Sequence, residues 1–235
     1  MKRLLLITAL AVCMFGCGGA RKQDAPVPTI APRLGKVLQL NTVSDAEAMR
    51  RRDAPSEFGE LTTAQGPKRP RNCVEWEALH ATHAEPSNDA EEAGDEIAGQ
   101  RCDALLWLTR VRPATRSFVA WSASLAPRLP ATIATAWDDD ARAARDGAAK
   151  QGKTINDYAP DAALEATPDQ MVWSESGGTT KIVVRPIAWG DLNGDGVEDL
   201  LLAISNLDSA GPMTEQRVLA VTRNDAQEAL RAISR

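Results

Sequence analysis

The chain is short of the residues that build most catalytic and metal centres. Among 235 residues there are two His, four Cys, one Tyr and three Phe, and aromatics reach 4% only through six Trp. Two histidines cannot supply a multi-histidine metal centre, and no HExxH pair is present. No CxxC or Cys/His zinc spacing occurs, which argues against thiolate ligation of a metal. GxSxG, a phosphate-binding glycine loop and a basic stripe with interleaved aromatics are also missing. The net charge is −5 and the pI about 5.2, so no global basic field exists to hold nucleic acid. No apolar run reaches the ~20 residues that a membrane-spanning helix needs. What is present is ordinary for a globular chain with a real core: 43% hydrophobic and 25% charged residues.

Met1-Lys2-Arg3 is a short basic segment, and Leu4 to Phe15 is a nearly unbroken apolar run of 12 residues. That length suits the hydrophobic region of a signal peptide, predicted here over residues 1–16. The run ends in Met14-Phe15-Gly16-Cys17, which resembles the lipobox of bacterial lipoproteins. Gly16 and Cys17 match, while Met14 and Phe15 stand where Leu and Ala or Ser are usual. The resemblance implies cleavage before Cys17, diacylglycerol on its thiol, an acylated (palmitate-type) N-terminus and a membrane as partner through that lipid. Gly18 is not the Asp that commonly retains such lipoproteins in an inner membrane. By the same resemblance the outer membrane is favoured, on its periplasmic side or at the cell surface. The competing reading is cleavage after Gly18-Gly19-Ala20, releasing a soluble periplasmic protein.

Export makes the cysteines add up. Cys13 leaves with the signal and Cys17 takes lipid, so Cys73 and Cys102 remain as an even pair in an oxidising compartment and are predicted to be disulfide-bonded. Loss of Lys2 and Arg3 would take the net charge from −5 to −7.

Residues 17–70 read as a lipid-anchored tether and linker, with Pro26, Pro28, Pro32, Pro55, Pro67 and Pro70 and few clustered apolar residues. Val37 to Leu40 is a short strand or docking segment, and the clusters Arg50-Arg51-Arg52 and Lys68-Arg69-Pro70-Arg71 read as solvated charge. Residues 71–150 read as helical. Ile97, Arg101, Ala104, Leu105, Leu108 and Val111 recur at threes and fours, with Arg101 the polar exception, predicting an amphipathic helix over Gly94 to Arg112. Pro113 ends it and opens a further helix with Phe118, Trp121 and Leu125 on one face; Ile133, Trp137, Ala141, Ala144 and Ala148 predict another. The tryptophans on these stripes read as core. Residues 151–235 read as an antiparallel β region, with strands over Met171 to Trp173, Lys181 to Trp189, Leu200 to Ser205 and Gln216 to Thr222. Ala226 to Ser234 has helix-favouring composition, with a last strand as the alternative. The expected fold is α+β: a disulfide-linked helical part, then a small antiparallel sheet carrying an Asp-rich loop.

That loop is the one specific motif, Gly190-Asp191-Leu192-Asn193-Gly194-Asp195-Gly196-Val197-Glu198-Asp199-Leu200. Oxygen-bearing side chains at positions 1, 3, 5 and 9 fall on Asp191, Asn193, Asp195 and Asp199, the Val197 carbonyl stands at position 7, and Gly196 permits a sharp reversal. Several converging oxygens suit a hard cation, so Ca²⁺ is the expected metal. Three carboxylates would repel one another in its absence. An EF-hand would next need a bidentate Glu at position 12, but that residue is Leu202, and both flanks are strand-like. Strand, Asp-rich loop, strand resembles the FG-GAP or VCBS-type calcium repeat, matched by Gly190, Asp191, Asn193, Gly194, Asp195, Gly196, Asp199, Leu200 and Leu202. The resemblance covers about residues 180–222 and implies Ca²⁺ at Asp191, Asn193, Asp195, Val197 and Asp199. A single copy cannot close a propeller, so a single blade-like sheet packed on the helical part is expected.

Other candidates are weaker. His80 and His83 lie three apart, and Glu77 to His80 has Glu-x-x-His spacing, but a carboxylate-bridged metal pair needs a second copy. Asp138-Asp139-Asp140 reads as a helix cap. The sequence therefore points to a non-catalytic, calcium-stabilised envelope lipoprotein with an envelope protein or polysaccharide as partner. An inhibitor or accessory factor of a cell-wall enzyme is the alternative. An exported hydrolase working with carboxylates alone is the third reading.

Overall fold

Leu200-Leu201-Leu202-Ala203-Ile204 is an unbroken apolar run, and a strand made of it needs cover on both faces. The computed structural model describes residues 28–36, 45–56, 58–136, 138–174, 179–208 and 215–234. The signal segment, Cys17, Val37 to Leu40 and Trp137 lie outside these. The first half contains β1 (Arg33–Leu34), α1 (Asp45–Asp53), β2 (Leu61–Thr63), β3 (Gly66–Lys68), α2 (Cys73–His80), β4 (Glu85–Pro86), α3 (Asp89–Leu108) and β5 (Arg116–Ser117). Two 3₁₀ turns follow (Ala123–Arg128 and Ala131–Ile133), then α4 (Asp139–Lys150) and α5 (Ile155–Tyr158). The chain ends in β6 (Ala163–Ala166), β7 (Met171–Ser174), β8 (Thr180–Gly190), β9 (Val197–Asp208), β10 (Glu215–Thr222) and β11 (Arg231–Ala232).

The main sheet runs β11-β10-β9-β8-β7-β6, antiparallel throughout that order, with β1 added beside β8 and β5 beside β9. β7 pairs with Lys181 to Val184, whereas β1 pairs with Ala188 and Trp189 on the same edge. The change of partner falls at Pro186, where the register to β9 also shifts. Proline has no N–H to give to a ladder, so a bulge there is expected on physical grounds. A smaller sheet, β3-β2-β4, stands apart.

Alternation along β9 divides the core. Leu200, Leu202 and Ile204 join Ile182, Val184, Met171 and Trp173 beneath Val119, Leu125, Leu129, Ile133 and Ile155. Leu201 and Ala203 face the other way, with Ile187 and Ala188, onto Ala104, Trp107, Leu108 and Val111 of α3 and the residues just after it. A second stripe of α3, Ala98, Cys102 and Leu105, packs with Cys73 and Phe58. The predicted bond Cys73–Cys102 is present, with 5.3 Å between the Cα atoms. Asn72 caps α2 by accepting from the Glu75 N–H at 2.9 Å.

Several expectations change. Ile97 is 51% exposed and leaves the stripe on which periodicity placed it. No helix follows Pro113: Arg116 and Ser117 pair in parallel with Val197 and Glu198, and the 3₁₀ turn around Leu125 contains Pro127. Pro127 and Pro130 remove the donors an α-helix would need, while β9 claims the backbone upstream. Ile133 sits in the second 3₁₀ turn, and α4 begins only at Asp139, with Asp138 as its cap (2.7 Å to the Ala141 N–H). Arg231–Ala232 takes the strand alternative. Within the stretch read as linker, Leu61, the first residue of β2, is fully buried, and Phe58 is nearly so in the cluster with Cys73 of α2 and Ala98, Cys102 and Leu105 of α3.

Candidate functional site

The Asp-rich loop is the turn of the β8–β9 hairpin. Gly190, which ends β8, lies under two crossing segments: a Cβ there would come within 2.5 Å of Val111 Cγ2 and 3.1 Å of the Arg112 carbonyl. The next residue is locked to the same crossing. The N–H groups of Arg112 and Asp191 each donate to the other's carbonyl at 2.9 Å. At the far end, the Gly196 carbonyl accepts from the Thr115 N–H at 2.8 Å and from the Thr115 hydroxyl at 3.0 Å. Gly196 itself has φ +78°, the left-handed conformation anticipated for the reversal. The segment after α3 thus clamps both ends of the loop.

Inside that clamp the side chains bind their own backbone. The Asp191 carboxylate accepts from the N–H groups of Gly194 (2.6 Å) and Gly196 (2.9 Å). Asn193 Oδ1 accepts from the Asp195 N–H at 3.0 Å, and Asp195 Oδ1 from the Val197 N–H at 2.8 Å. Asn193 Nδ2 donates to Asp195 Oδ2 at 3.1 Å. Asp199, on β9 and fully buried, accepts from the Leu192 N–H at 2.8 Å through Oδ2.

Asp199 is the anomalous group. Its Oδ1 is buried with no hydrogen-bond donor. Burial raises its pKa to about 6; the Thr222 hydroxyl and the Leu192 N–H oppose the rise, and the negative charges of Asp195 and Asp191 add to it. The Thr222 hydroxyl acts on the Asp199 carboxylate as a hydrogen-bond donor that opposes the rise, but its oxygen and Asp199 Oδ1 both remain buried without a hydrogen bond of ordinary distance and angle. Among the described residues no three His, Cys, Asp or Glu side chains are drawn together as a metal cluster. The loop brings Asp191, Asn193 and Asp195 into one turn and sets Asp199 near them, without closing their oxygens on one point.

Glu198 was not singled out by sequence. It is buried and accepts from Arg33 Nη2 at 2.9 and 3.0 Å and from the Ser117 hydroxyl at 2.6 Å. Its partners lie 165 and 81 residues away, so no local motif marks it.

His80 has a structural job. Its Nε2 and the Trp76 indole N–H both meet the Asp95 carboxylate, at 3.1 and 2.6 Å, and the two rings stand 4.3 Å apart. The basic clusters are internally paired: Arg50 and Arg51 with Glu47, Arg52 with Glu77, Arg69 with Glu91 and Arg71 with Glu75. Three clefts, beside the loop, beside Phe58 and beside Trp189, each contain at most one carboxylate residue in their lining. Comparison of the chain with protein-family models, with curated proteins and with solved structures yields no match.

Proposed function

We propose that this chain is a non-catalytic, calcium-stabilised lipoprotein of the cell envelope, anchored through Cys17 and serving as a binding or structural module. The observation that carries the calcium reading is the unsatisfied, fully buried Asp199 oxygen beside Asp191 and Asp195. An uncompensated buried carboxylate oxygen is costly, and a divalent cation is the partner that oxygen ligands of this type suit. Asp191, Asn193, Asp195, Asp199 and the Val197 carbonyl would hold it, as the FG-GAP or VCBS-type resemblance implies. The N–H bonds already made do not forbid this, because an ionised carboxylate offers about four lone-pair sites. Calcium would supply positive charge at the hairpin turn. The chain's own contribution is to clamp the loop ends with Arg112 and Thr115 and to orient the carboxylates through backbone N–H groups.

The disulfide, at home in an oxidising compartment, supports an exported location. The lipobox-like end at Gly16-Cys17 supports lipid anchoring, with the outer membrane favoured. Thermal melts with calcium and with chelator test the metal. Wild type should be stabilised by calcium, by about 2.7 kcal/mol when calcium stands at 100 times its dissociation constant. Asp195→Ala should lose that increment. If wild type and Asp195→Ala melt alike in both conditions, the loop is a self-bonded turn and the reading fails.

A further inference from the structure

One cleft has a charge that its surroundings leave unanswered. It is about 420 Å³, lies between the end of α3 and the loop, and is lined by Trp107, Arg110, Arg112, Asn193, Gly194 and Ser234 among others. No Asp or Glu lines it, although acidic residues outnumber Lys and Arg by 32 to 27 in the whole chain. The nearby loop carboxylates are turned onto their own backbone. Both guanidinium groups are exposed, and neither has an ion pair or hydrogen bond among the described residues. Arg110 is held instead over the Trp107 ring, 5.8 Å from its centre, and Arg112 is fixed at its backbone by Asp191. Elsewhere Arg33, Arg50, Arg51, Arg52, Arg69 and Arg71 meet carboxylates, and Arg116 and Arg231, which also lack a side-chain partner among the described residues, line none of the three clefts.

We propose that the Arg110–Arg112 cleft binds a phosphoryl group. Guanidinium forks match phosphate oxygens in shape and charge-assisted bonding. Two positive groups in a cleft with no Asp or Glu in its lining suit a multi-oxygen anion: a phosphate monoester carries about −1.5 to −2 at neutral pH, and a phosphodiester headgroup carries a single negative charge with two free oxygens for the guanidinium forks. The cleft has the size of a small-ligand site. The source indicated by the fold is a lipid headgroup. Ile30 exchanges backbone bonds with Ala114 at 2.6 and 3.0 Å, so the chain enters two residues beyond Arg112. Residues 18–29 between Cys17 and that entry reach at most about 40 Å when extended. A lipid on Cys17 would therefore tether this end of the molecule within about 40 Å of the headgroup layer, a reach that allows the cleft to meet it. This assignment of source rests on the lipoprotein reading; the phosphoryl site does not.

The test uses the full mature chain in detergent, titrated with inorganic phosphate at constant ionic strength and followed by tryptophan emission. Saturable binding is expected, weakened about tenfold or more by Arg110→Ala and by Arg112→Ala, since each removes a hydrogen bond to a charged group. Both side chains are exposed, so the variants should melt as wild type does. In a second arm, the chain in phosphatidylcholine vesicles with and without phosphatidylglycerol is compared by hydrogen exchange. Protection of residues 107–112 and 192–194 only with phosphatidylglycerol supports the headgroup source, whereas phosphate binding without such protection supports a soluble phosphate compound in the same site. No saturable phosphate response, or variants that bind like wild type, overturns the site. Intact mass of the mature chain reports Cys17 acylation separately, so failure of the anchor and failure of the cleft are told apart.

Discussion

The α2–α3 pair and the β8–β9 hairpin are both two antiparallel elements joined in sequence, but they are held by different means. The helices share a small cluster of Phe58, Cys73, Ala98, Cys102 and Leu105, and a disulfide crosses it. The hairpin has no crosslink, and its middle is buried on both faces. A cluster of that size removes little apolar area from water, so a covalent bond that restricts the unfolded chain adds a large share of its stability. Two-sided burial along Leu200 to Ile204 needs no such addition. The hairpin's weak point is its tip, where the buried carboxylate of Asp199 lacks a partner for one oxygen.

The largest expected effect comes from the hairpin. Leu202→Ala leaves a cavity at a fully buried site and should cost about 2–5 kcal/mol in urea unfolding. The same loss should appear in oxidised and reduced protein, because the two regions have separate clusters and distant sites add.

Next comes the disulfide. Its cysteines are 29 residues apart, and replacing both by Ala should cost about 3–4 kcal/mol. Hydrogen exchange should quicken in residues 73–108 well before it does in β8 and β9. Equal loss of protection in both regions would break the contrast between them.

The smallest effect sharpens the account of the hairpin tip. The Asp199 pKa is raised from 3.8 to about 6, chiefly by burial. A raised carboxylate contributes stability that is complete below about pH 4 and is lost as pH rises to about 6. In chelator, Asp199→Asn should therefore be more stable than wild type at pH 7, by up to about 3 kcal/mol, and no more stable at pH 4. With calcium at pH 7 the order should reverse. Melting temperatures at the two pH values, with and without calcium, check both signs.

How far the sequence could be read depended on whether the cause was local. The strands β7 to β10 were legible because β-branched and apolar runs are bounded by Asp, Gly and Pro. The loop was legible because its spacing is a backbone property, and Gly196 does adopt the left-handed conformation. Pro113 misled: it ends α3's neighbourhood correctly, yet the residues after it pair with β9, and nothing in Arg116 or Ser117 advertises a partner some 81 residues on. Ile97 misled as well, because periodicity shows a face without showing whether anything covers it. Glu198 went unread for the same reason: its Arg33 and Ser117 partners are far away in sequence.

The sequence by itself determined the α+β class, the Cys73–Cys102 pair and the placement of Asp191, Asn193 and Asp195 in one turn. These depend on propensity, cysteine count and residue spacing, which act over a few bonds or leave few combinations. Only the tertiary structure decided that Gly190 must be small, that Arg112 and Thr115 clamp the loop, and that one Asp199 oxygen is stranded. Each of those arises where segments distant in the chain cross, and desolvation and close approach act between neighbours in space.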